Sequence, residues 1–294
     1  MLFSERKFKS HLLILLFYVI LIPVTGIIIF PIIWAFLTSV KPGPELFSIP
    51  LRIFPSHWIF QHYTQAVKAA RLGLYTINSS VVALGSVGTN LLFCAMAGYA
   101  FAKLNFPGKN ILFGLLLATM MVPIEAAVVP IFVVIRGFPL GGGNNILGQG
   151  GTGLLDSYPG LILPGAVTIY GMFLFRQFFS TLPKELEDAA RIDGCSEWGI
   201  FWKIILPQSG PMLATLGILS FLWMWNDFMW PLVCIRREGM KTVQLGLVVF
   251  RQELSTDWAP LMAASILISL VPLMVFILFQ KYFVKGITFT GIKG

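Results

Sequence analysis

The chain has 294 residues, of which 56% are hydrophobic and only 12% are charged. Ordinary soluble domains carry about 25% charged residues, so this composition excludes a typical soluble protein and indicates a chain that lies in lipid. The formal net charge of +8 does not indicate nucleic-acid binding, because the chain has no basic run and no alternation of basic and aromatic residues.

The N-terminal segment predicts a membrane anchor that is not cleaved. Arg6, Lys7 and Lys9 precede residues 12–40, which contain no charged side chain. This stretch is much longer than the roughly 7–15 apolar residues of a secretory signal, and no small-x-small cleavage site ends it. We therefore count it as the first membrane span.

The whole sequence predicts an all-α integral membrane protein with six transmembrane helices. A span needs about 20 mostly apolar residues, and six segments meet this requirement. They lie at about 12–38, 74–102, 110–135, 157–179, 208–231 and 259–281. An even number of spans places both termini on one side. The basic N-terminus and the turn from Lys103 to Lys109 make that side cytoplasmic by the positive-inside rule.

This map divides the chain into four parts. We expect a cytoplasmic N-terminus at 1–11, the first span and an external loop at 12–73, a transmembrane core at 74–285, and a cytoplasmic tail at 286–294. The outside segment near 137–153 is rich in glycine. It does not follow a strand and lacks Gly-Lys-Ser/Thr, so we expect a flexible external loop, or a contact with a docking protein, rather than a phosphate site.

A charged cytoplasmic loop at about 181–207 separates the fourth and fifth spans. The sequence predicts a short helix with Thr181 as its N-cap and Pro183 in its first turn. Acidic residues then complement the positive end of the helix dipole, namely Glu185, Glu187 and Asp188. The spacing also predicts two ion pairs, Glu187 with Arg191 and, in the weaker order, Lys184 with Asp188.

The same loop has the features of a docking surface. Leu186, Ala189 and Ala190 form a small apolar patch that a partner's groove could accept, and Gly194 lets the chain turn back. After the turn, an apolar stretch leads to Leu206 and Pro207, where we expect the fifth span to begin. A push on the helix would then reach that span through one rigid segment. The alternative is an amphipathic interfacial helix without a partner.

The order Asp188-Ala189-Ala190-x3-Gly194-x9-Ile204-x-Leu206-Pro207 resembles the coupling loop of permease subunits in bacterial binding-protein-dependent ABC importers of the carbohydrate-uptake type. The family usually has Glu where this chain has Asp188. Further matches run from about residue 74 to the end and include Asn78-Ser79, Gly98-Tyr99-Ala100, Trp225-Asn226-Asp227-Phe228 and Met262-Ala263-Ala264. The resemblance implies ATPase coupling through Glu187, Asp188, Ala189, Ala190, Gly194, Ile204, Leu206 and Pro207.

The resemblance also implies a fold, a location and partners. The fold would be the type I ABC importer fold with a cytoplasmic coupling helix, in the bacterial inner membrane. The partners would be a second homologous permease, two ATPase subunits, an external binding protein and a small hydroxylated solute such as a carbohydrate, glycoside or polyol. Residues 155–158 and 173–179 also look like permeases for glycerol-3-phosphate, which keeps that solute, or a glycerophosphodiester, as an alternative.

Five residues are candidates for the translocation path. Glu125 is the only formal charge in the third span and, at about 1.5 Å per residue, lies roughly 24 Å along a helix from Lys109, toward the outer half. At that depth it either lines the path or makes a structural hydrogen bond. Asn78 begins the second span. At the outer end of the fifth, the other candidates are Trp225, Asn226 and Asp227.

The aromatic residues near the end of the fifth span have a second interpretation. Trp225, Asn226 and Asp227 combine an aromatic face with hydrogen-bonding groups, which suits a hydroxylated solute. Tryptophan also gathers in belts at membrane interfaces. We assign Trp230 to such a belt and leave Trp225 and Asn226 open between the two interpretations.

Other functional classes are less favoured. The sequence has no His/Asp/Glu cluster, metal-ligand spacing, serine elbow or phosphate loop, so we expect no catalytic residue, metal or cofactor on this chain. ATP and Mg²⁺ would belong to the partner ATPase. A carrier driven by protons or sodium would need ionisable groups buried near the midplane, often with internal repeats, and only Glu125 qualifies.

Overall fold

The computed structural model describes residues 2–251 and 256–291, with side chains placed for residue 14 and for residues 17–251 and 256–281. Regular secondary structure in these ranges is helical, and Arg251 and Thr256 form one isolated antiparallel bridge. The all-α prediction is confirmed. The helices are α1 (Leu2–Ser39), α2 (Gln61–Ala69), α3 (Leu72–Lys103), α4 (Lys109–Thr119), α5 (Ile124–Arg136), α6 (Tyr158–Ile162), α7 (Ile169–Ser180), α8 (Glu185–Ile192), α9 (Glu197–Ile200), α10 (Leu206–Gln208), α11 (Gly210–Asn226), α12 (Met229–Cys234), α13 (Val243–Gly246) and α14 (Trp258–Gly291).

The predicted tail at 286–294 lies partly outside the described residues, since nothing is placed beyond 291. Residue 1 of the predicted N-terminal segment is also outside them. From Leu2 onward that segment belongs to α1, so the helix begins well before the apolar stretch does.

The chain divides into two compact units. The first comprises Met1–Ala70 and Val249–Leu267, and the second comprises Arg71–Val248 and Ile268–Gly294. In the first unit, Ser39 Oγ lies 2.9 Å from the Tyr63 hydroxyl, joining the end of α1 to α2. The buried Lys41 donates to the Arg52 carbonyl at 2.6 Å and lies 4.7 Å from the centre of the Trp34 ring. These contacts fold the loop after α1 back onto the end of that helix.

In the second unit, α3 is the central helix and packs against α7 and α11. Small residues let the backbones of α3 and α7 approach closely, because a Cβ added at Gly98 would lie 2.5 Å from Phe175 Cβ. A buried apolar cluster forms around this contact and includes residues of α3, α7, α8, α9 and α11. The cluster therefore joins the membrane helices to the loop that follows α7.

The six predicted spans correspond to three single helices and three bent pairs. Phe17–Ser39, Leu72–Lys103 and Trp258–Lys281 are each long and apolar enough to cross a membrane. The third, fourth and fifth segments are each broken, with bends of 106°, 47° and 78°. The count among the described residues reaches six only if each bent pair is one span.

Proline and glycine explain the breaks in the third and fifth segments and contribute to the break in the fourth. The third segment breaks before Pro123 and the fifth at Gly210-Pro211, because a residue that precedes proline disfavours the helical conformation. In the fourth segment, Pro164 lies in a 3₁₀ turn, and the Thr168 hydroxyl then caps α7 by accepting from the Gly171 amide. Four other prolines stay inside continuous helices, as membrane helices allow: Pro23, Pro31, Pro130 and Pro272.

Candidate functional site

The short helix predicted in the 181–207 loop is present as α8, but it begins later than expected. Thr181 is not its N-cap: its hydroxyl donates to the Phe178 carbonyl at 2.7 Å and belongs to the end of α7. Pro183 precedes the helix, and α8 begins at Glu185 after Lys184. The three acidic residues of its first turn remain at the positive end of the dipole.

Arg191 is the centre of the charged groups in this loop. It pairs with Glu187 at 3.5 Å, as predicted, and with Glu197 at 2.8 Å across the following turn. Asp188 pairs with Arg191 at 3.0 Å, so the predicted partner Lys184 is wrong. Arg191 lies one turn after Asp188 and reaches both Asp188 and Glu197. One guanidinium thus links two turns of α8 to α9.

The pKa values of this cluster follow from those contacts. Hydrogen bonds from Arg191 and from the Tyr99 hydroxyl lower the pKa of Glu197 below its ordinary value of 4.5. The hydrogen bond to Glu197 raises the pKa of Arg191 in turn. Both groups are therefore charged at neutral pH, and the contact is a charge-assisted one.

α8 has two unlike faces, and they divide the predicted coupling residues. Glu187 and Ala190 are buried, with exposed fractions of 1% and 5%. Ala189 and Leu186 are exposed, and Ile192 is 86% exposed. Ala190 therefore does not belong to the exposed patch, contrary to the prediction, because it packs into the apolar cluster with Ala95 and Phe179. We call the outward side, Leu186, Ala189, Ile192 and Asp188, the exposed face of α8.

Gly194 makes the turn that ends this helix. Its φ is +79°, a conformation that favours glycine, and a Cβ built on it would meet no atom within 4 Å. The Cys195 amide donates to the Ala190 carbonyl at 2.9 Å, and the Gly194 amide to the Arg191 carbonyl at 3.1 Å. This is the Schellman pattern of a helix C-terminus. The predicted role of Gly194 as the break is consistent with this geometry.

The route from α8 to the fifth span is not one rigid segment. After α9, residues Phe201–Ile205 form a π-helical turn that leads to α10. Ile204, in this turn, and Leu206, in α10, are half-buried, and Pro207 is exposed. The chain then bends by 78° before α11. The bend falls at Ser209, so the fifth segment is a bent pair, Glu197–Gln208 and Gly210–Asn226, and not one straight helix from Leu206-Pro207.

Asn78 and Trp225 are buried within the chain. The Asn78 amide donates to the carbonyls of Gly239 and Lys241 at 2.8 and 2.9 Å and accepts from the Tyr158 hydroxyl at 2.8 Å. Trp225 is buried and its ring stacks on Phe221. Both side chains are buried in this conformation, Asn78 in hydrogen bonds to other segments and Trp225 against Phe221 of its own helix.

Asn226 and Asp227 follow α11. Asn226 is exposed, and its side-chain oxygen accepts from Gln244 at 3.3 Å. Asp227 is half-buried and accepts from the Trp230 amide at 3.3 Å, in the first turn of α12. Among the three outer residues of the fifth span, Asn226 is the one that this structure leaves accessible.

Two sequence predictions about position in the membrane are wrong. Trp230 is not a belt residue, because it is buried and its indole N–H donates to the Gly160 carbonyl at 3.0 Å. The depth given to Glu125 assumed a straight helix from Lys109. The chain bends by 106° between α4 and α5, and Glu125 is an exposed residue in the first turn of α5.

Comparison with known proteins identifies this arrangement. Residues 92–289 match the family described as binding-protein-dependent transport system inner membrane component. The chain belongs to this family. It is 38% identical over 274 residues to the arabinooligosaccharides transport system permease protein of Halalkalibacterium halodurans, covering 91% of this chain and 92% of that one.

Two further similarities agree with this assignment. The sn-glycerol-3-phosphate transport system permease protein of Yersinia enterocolitica is 33% identical, covering 92% of this chain and 94% of that one. The crystal structure of a bacterial ABC transporter that imports the acidic polysaccharide alginate has a similar fold. Its TM-score is 0.74 at 24% identity, covering 94% of this chain and 98% of that one. The chain is thus an importer permease and a multi-pass inner-membrane protein.

The glycine-rich loop of the permease is held by hydrogen bonds rather than left as the flexible linker that was predicted. The Asn144 side chain donates to the Arg136 and Phe138 carbonyls and accepts from the Gly151 amide. A Cβ at Gly153 would lie 2.2 Å from the Arg136 carbonyl oxygen, which explains why glycine is needed there. The loop is therefore a closely packed cover over the end of α5.

Asp156, which follows this loop, ties it to the segment after α12. It pairs with Arg237 at 2.7 Å and accepts from the Arg236 and Arg237 amides. Partial burial would raise the pKa of Asp156, but these hydrogen bonds outweigh it and lower the pKa below 3.8. Among the described residues, no group of three or more His, Cys, Asp or Glu side chains could hold a metal ion.

The permease also contains two functional candidates that sequence reasoning missed, Tyr99 and Lys103. Lys103 Nζ lies 2.5 Å from Glu187 Oε1, and the Tyr99 hydroxyl donates to Glu197 at 2.7 Å. The two residues are four apart on α3, so they share one face of its last turns. That spacing was visible in the sequence, but nothing in it indicated which carboxylates they would meet.

Proposed function

We propose that this chain is the noncatalytic permease subunit of an ATP-driven importer for an oligosaccharide or a related glycoside or polyol. The observation that carries the solute class is the 38% identity to an arabinooligosaccharide permease along nearly the full length of both chains. ATP and Mg²⁺ would be bound by the partner ATPase. The permease would contribute the path through the membrane and the surface on which the ATPase acts.

The exposed face of α8 supports docking of an ATPase subunit. Ile192 is 86% exposed, so the outward side of α8 leaves apolar area uncovered in water. A groove on a partner would bury this area. Ala189 is small enough to let another backbone approach. The full assembly would comprise a second homologous permease, two ATPases and an external binding protein, with both termini of this chain in the cytoplasm.

Glycerol-3-phosphate is the second candidate solute. It is favoured by the 33% identity to a permease for that compound and by a cavity of about 200 Å³ whose lining includes Arg136 and Arg236. A phosphate would need such guanidinium groups. Asp156 lines the same cavity and opposes an anion, which makes this the weaker candidate.

Uptake competition in proteoliposomes tests the proposal. The permease would be reconstituted with its partner permease, ATPases and binding protein, and uptake of a labelled arabinose oligosaccharide would be measured with Mg-ATP inside. We expect uptake that requires ATP and falls with excess unlabelled oligosaccharide but not with glycerol-3-phosphate. Competition by glycerol-3-phosphate alone would establish the second candidate, and uptake independent of ATP would overturn both.

A further inference from the structure

The loop that carries α8 is fastened to the end of the second span by two polar contacts. Lys103 Nζ, in the last turn of α3, lies 2.5 Å from Glu187 Oε1 and also donates to the Leu182 carbonyl at 2.9 Å. One turn earlier, the Tyr99 hydroxyl donates to Glu197 at 2.7 Å. The contacts lie before and after the turn at Gly194, so α8 and α9 are held to α3 together.

The Lys103–Glu187 contact is buried, which makes it an effective constraint, whereas the Tyr99 hydroxyl donates to a carboxylate that is 44% exposed. The Lys103 and Glu187 side chains are only 9% and 2% exposed. Solvent screens such a pair far less than a surface pair, and moving its members apart would leave a charge without a partner in a poorly solvated place. Glu187 Oε1 has no hydrogen-bond partner among the described residues and lies against Lys103, while Oε2 pairs with Arg191 at 3.5 Å, so both cations hold this carboxylate.

The connection through the chain itself is not one continuous helix. Between α9 and α11 the backbone passes a π-helical turn and a 78° bend. The buried apolar cluster does include Met212 and Leu216 of α11, but apolar contacts can slide without losing a specific partner. An ion pair and a hydrogen bond fix the register between two helices, and here both run to α3.

We propose that Lys103 and Tyr99 are positioning residues that pass the displacement of α8 to the second span during the transport cycle. This inference rests on the proposed function, because it takes ATPase docking on the exposed face of α8 as its starting point. Glu187 is buried against α3, while the adjacent Asp188 is exposed, so docking and transmission are assigned to different faces of one short helix.

The test measures three quantities in the reconstituted complex. They are retention of the ATPase during purification, ATP hydrolysis stimulated by loaded binding protein, and ATP consumed per solute transported. Lys103→Met and Tyr99→Phe remove the two contacts while keeping most of the packing. We expect each to retain the ATPase, to weaken the stimulation of hydrolysis by loaded binding protein, and to raise ATP consumed per solute, by about tenfold for Lys103→Met and less for Tyr99→Phe.

Three controls make the result specific. Lys103→Arg keeps the charge and should restore the wild-type ratio of ATP to solute. The double variant Lys103→Met with Glu187→Gln should be no worse than Lys103→Met alone, because the two groups act as a pair. Ala189→Arg, on the exposed face, should release the ATPase and thereby test docking itself.

The outcomes separate the two proposals. If Ala189→Arg keeps the ATPase bound and coupled, docking on α8 is wrong and the proposed function fails at this surface. If Ala189→Arg releases the ATPase but Lys103→Met leaves the ratio of ATP to solute unchanged, only the inference is overturned. Loss of the ATPase in Lys103→Met would also overturn it, since the contacts would then serve docking alone.

Discussion

Replacing Gly194 by valine isolates the backbone conformation of the turn after α8. The residue has a φ of +79°, and a Cβ added there meets no atom within 4 Å, so valine would create no clash. Its cost comes from the left-handed conformation, about 1–2 kcal/mol for a residue with a Cβ, and more for a β-branched one. Asparagine tolerates this conformation best among residues with side chains, which makes Gly194→Asn the matched control.

The strain should appear in ATPase affinity. A free loop can relax by giving up the hydrogen bonds from Gly194 and Cys195 to α8, whereas a docked loop is held in the turned form. The expected loss of affinity is therefore about 5–30-fold for Gly194→Val, the factor that corresponds to 1–2 kcal/mol. Transport and stimulated ATP hydrolysis should decline together at limiting ATPase concentration.

The measurement is a titration of labelled ATPase onto the purified permease pair, with transport measured in parallel. Gly194→Asn should stay within about threefold of wild type. Wild-type affinity and transport in Gly194→Val would refute the argument. Equal damage from asparagine and valine would also refute it, because the effect would then come from side-chain bulk at the interface and not from backbone conformation.

Two further predictions concern topology and pH. In a background without the native cysteines, a cysteine that replaces Gly194 should react with an impermeant maleimide only from the cytoplasmic side. A cysteine that replaces Ile146 should react only from outside. Labelling of both positions from one side would contradict the six-span orientation. Ile146 suits this purpose because it is 77% exposed, whereas Asn144 is buried and holds its loop. The pKa of Glu197 is lowered in the folded protein, so its ionised carboxylate stabilises the fold. This contribution is complete above about pH 4.5 and is lost as the pH falls through the lower pKa of the folded state. The Tm of wild type should therefore exceed that of Glu197→Gln at pH 7, and this difference in Tm should shrink below pH 4.5. A constant difference from pH 7 to 3.5 would exclude the contacts assigned to the Glu197 carboxylate.

Local features of the sequence predicted local structure well. The pair of Glu187 and Arg191 depends only on helical spacing, and the break at Gly194 depends on a conformation that glycine adopts readily. Composition and segment length were enough for an all-α membrane fold. These properties involve residues within a few positions of each other, so neighbours in the sequence determine them.

The errors came from contacts between distant parts of the chain. Trp230 resembled an interfacial tryptophan until Gly160, seventy residues away, was found to accept its N–H. Glu125 was placed by counting along a helix, but the break before Pro123 changes the direction of the segment. Glu187 was given a coupling role by the resemblance, and the sequence does not show that Lys103 lies against it. Burial of one residue depends on a partner that periodicity cannot reveal.

The charges around α8 explain how an aspartate serves where the family usually has glutamate. Lys103 and Arg191 supply two formal positive charges, and Glu187, Asp188 and Glu197 supply three negative ones, which leaves one in excess. Glu187 is buried against Lys103, and Glu197 receives both Arg191 and Tyr99. The Asp188 side chain is 51% exposed and shares Arg191 with two other carboxylates. Asp188 is therefore the group that carries the excess negative charge at the surface. Its shorter side chain still reaches Arg191 at 3.0 Å across one turn, so the network is complete without the extra methylene.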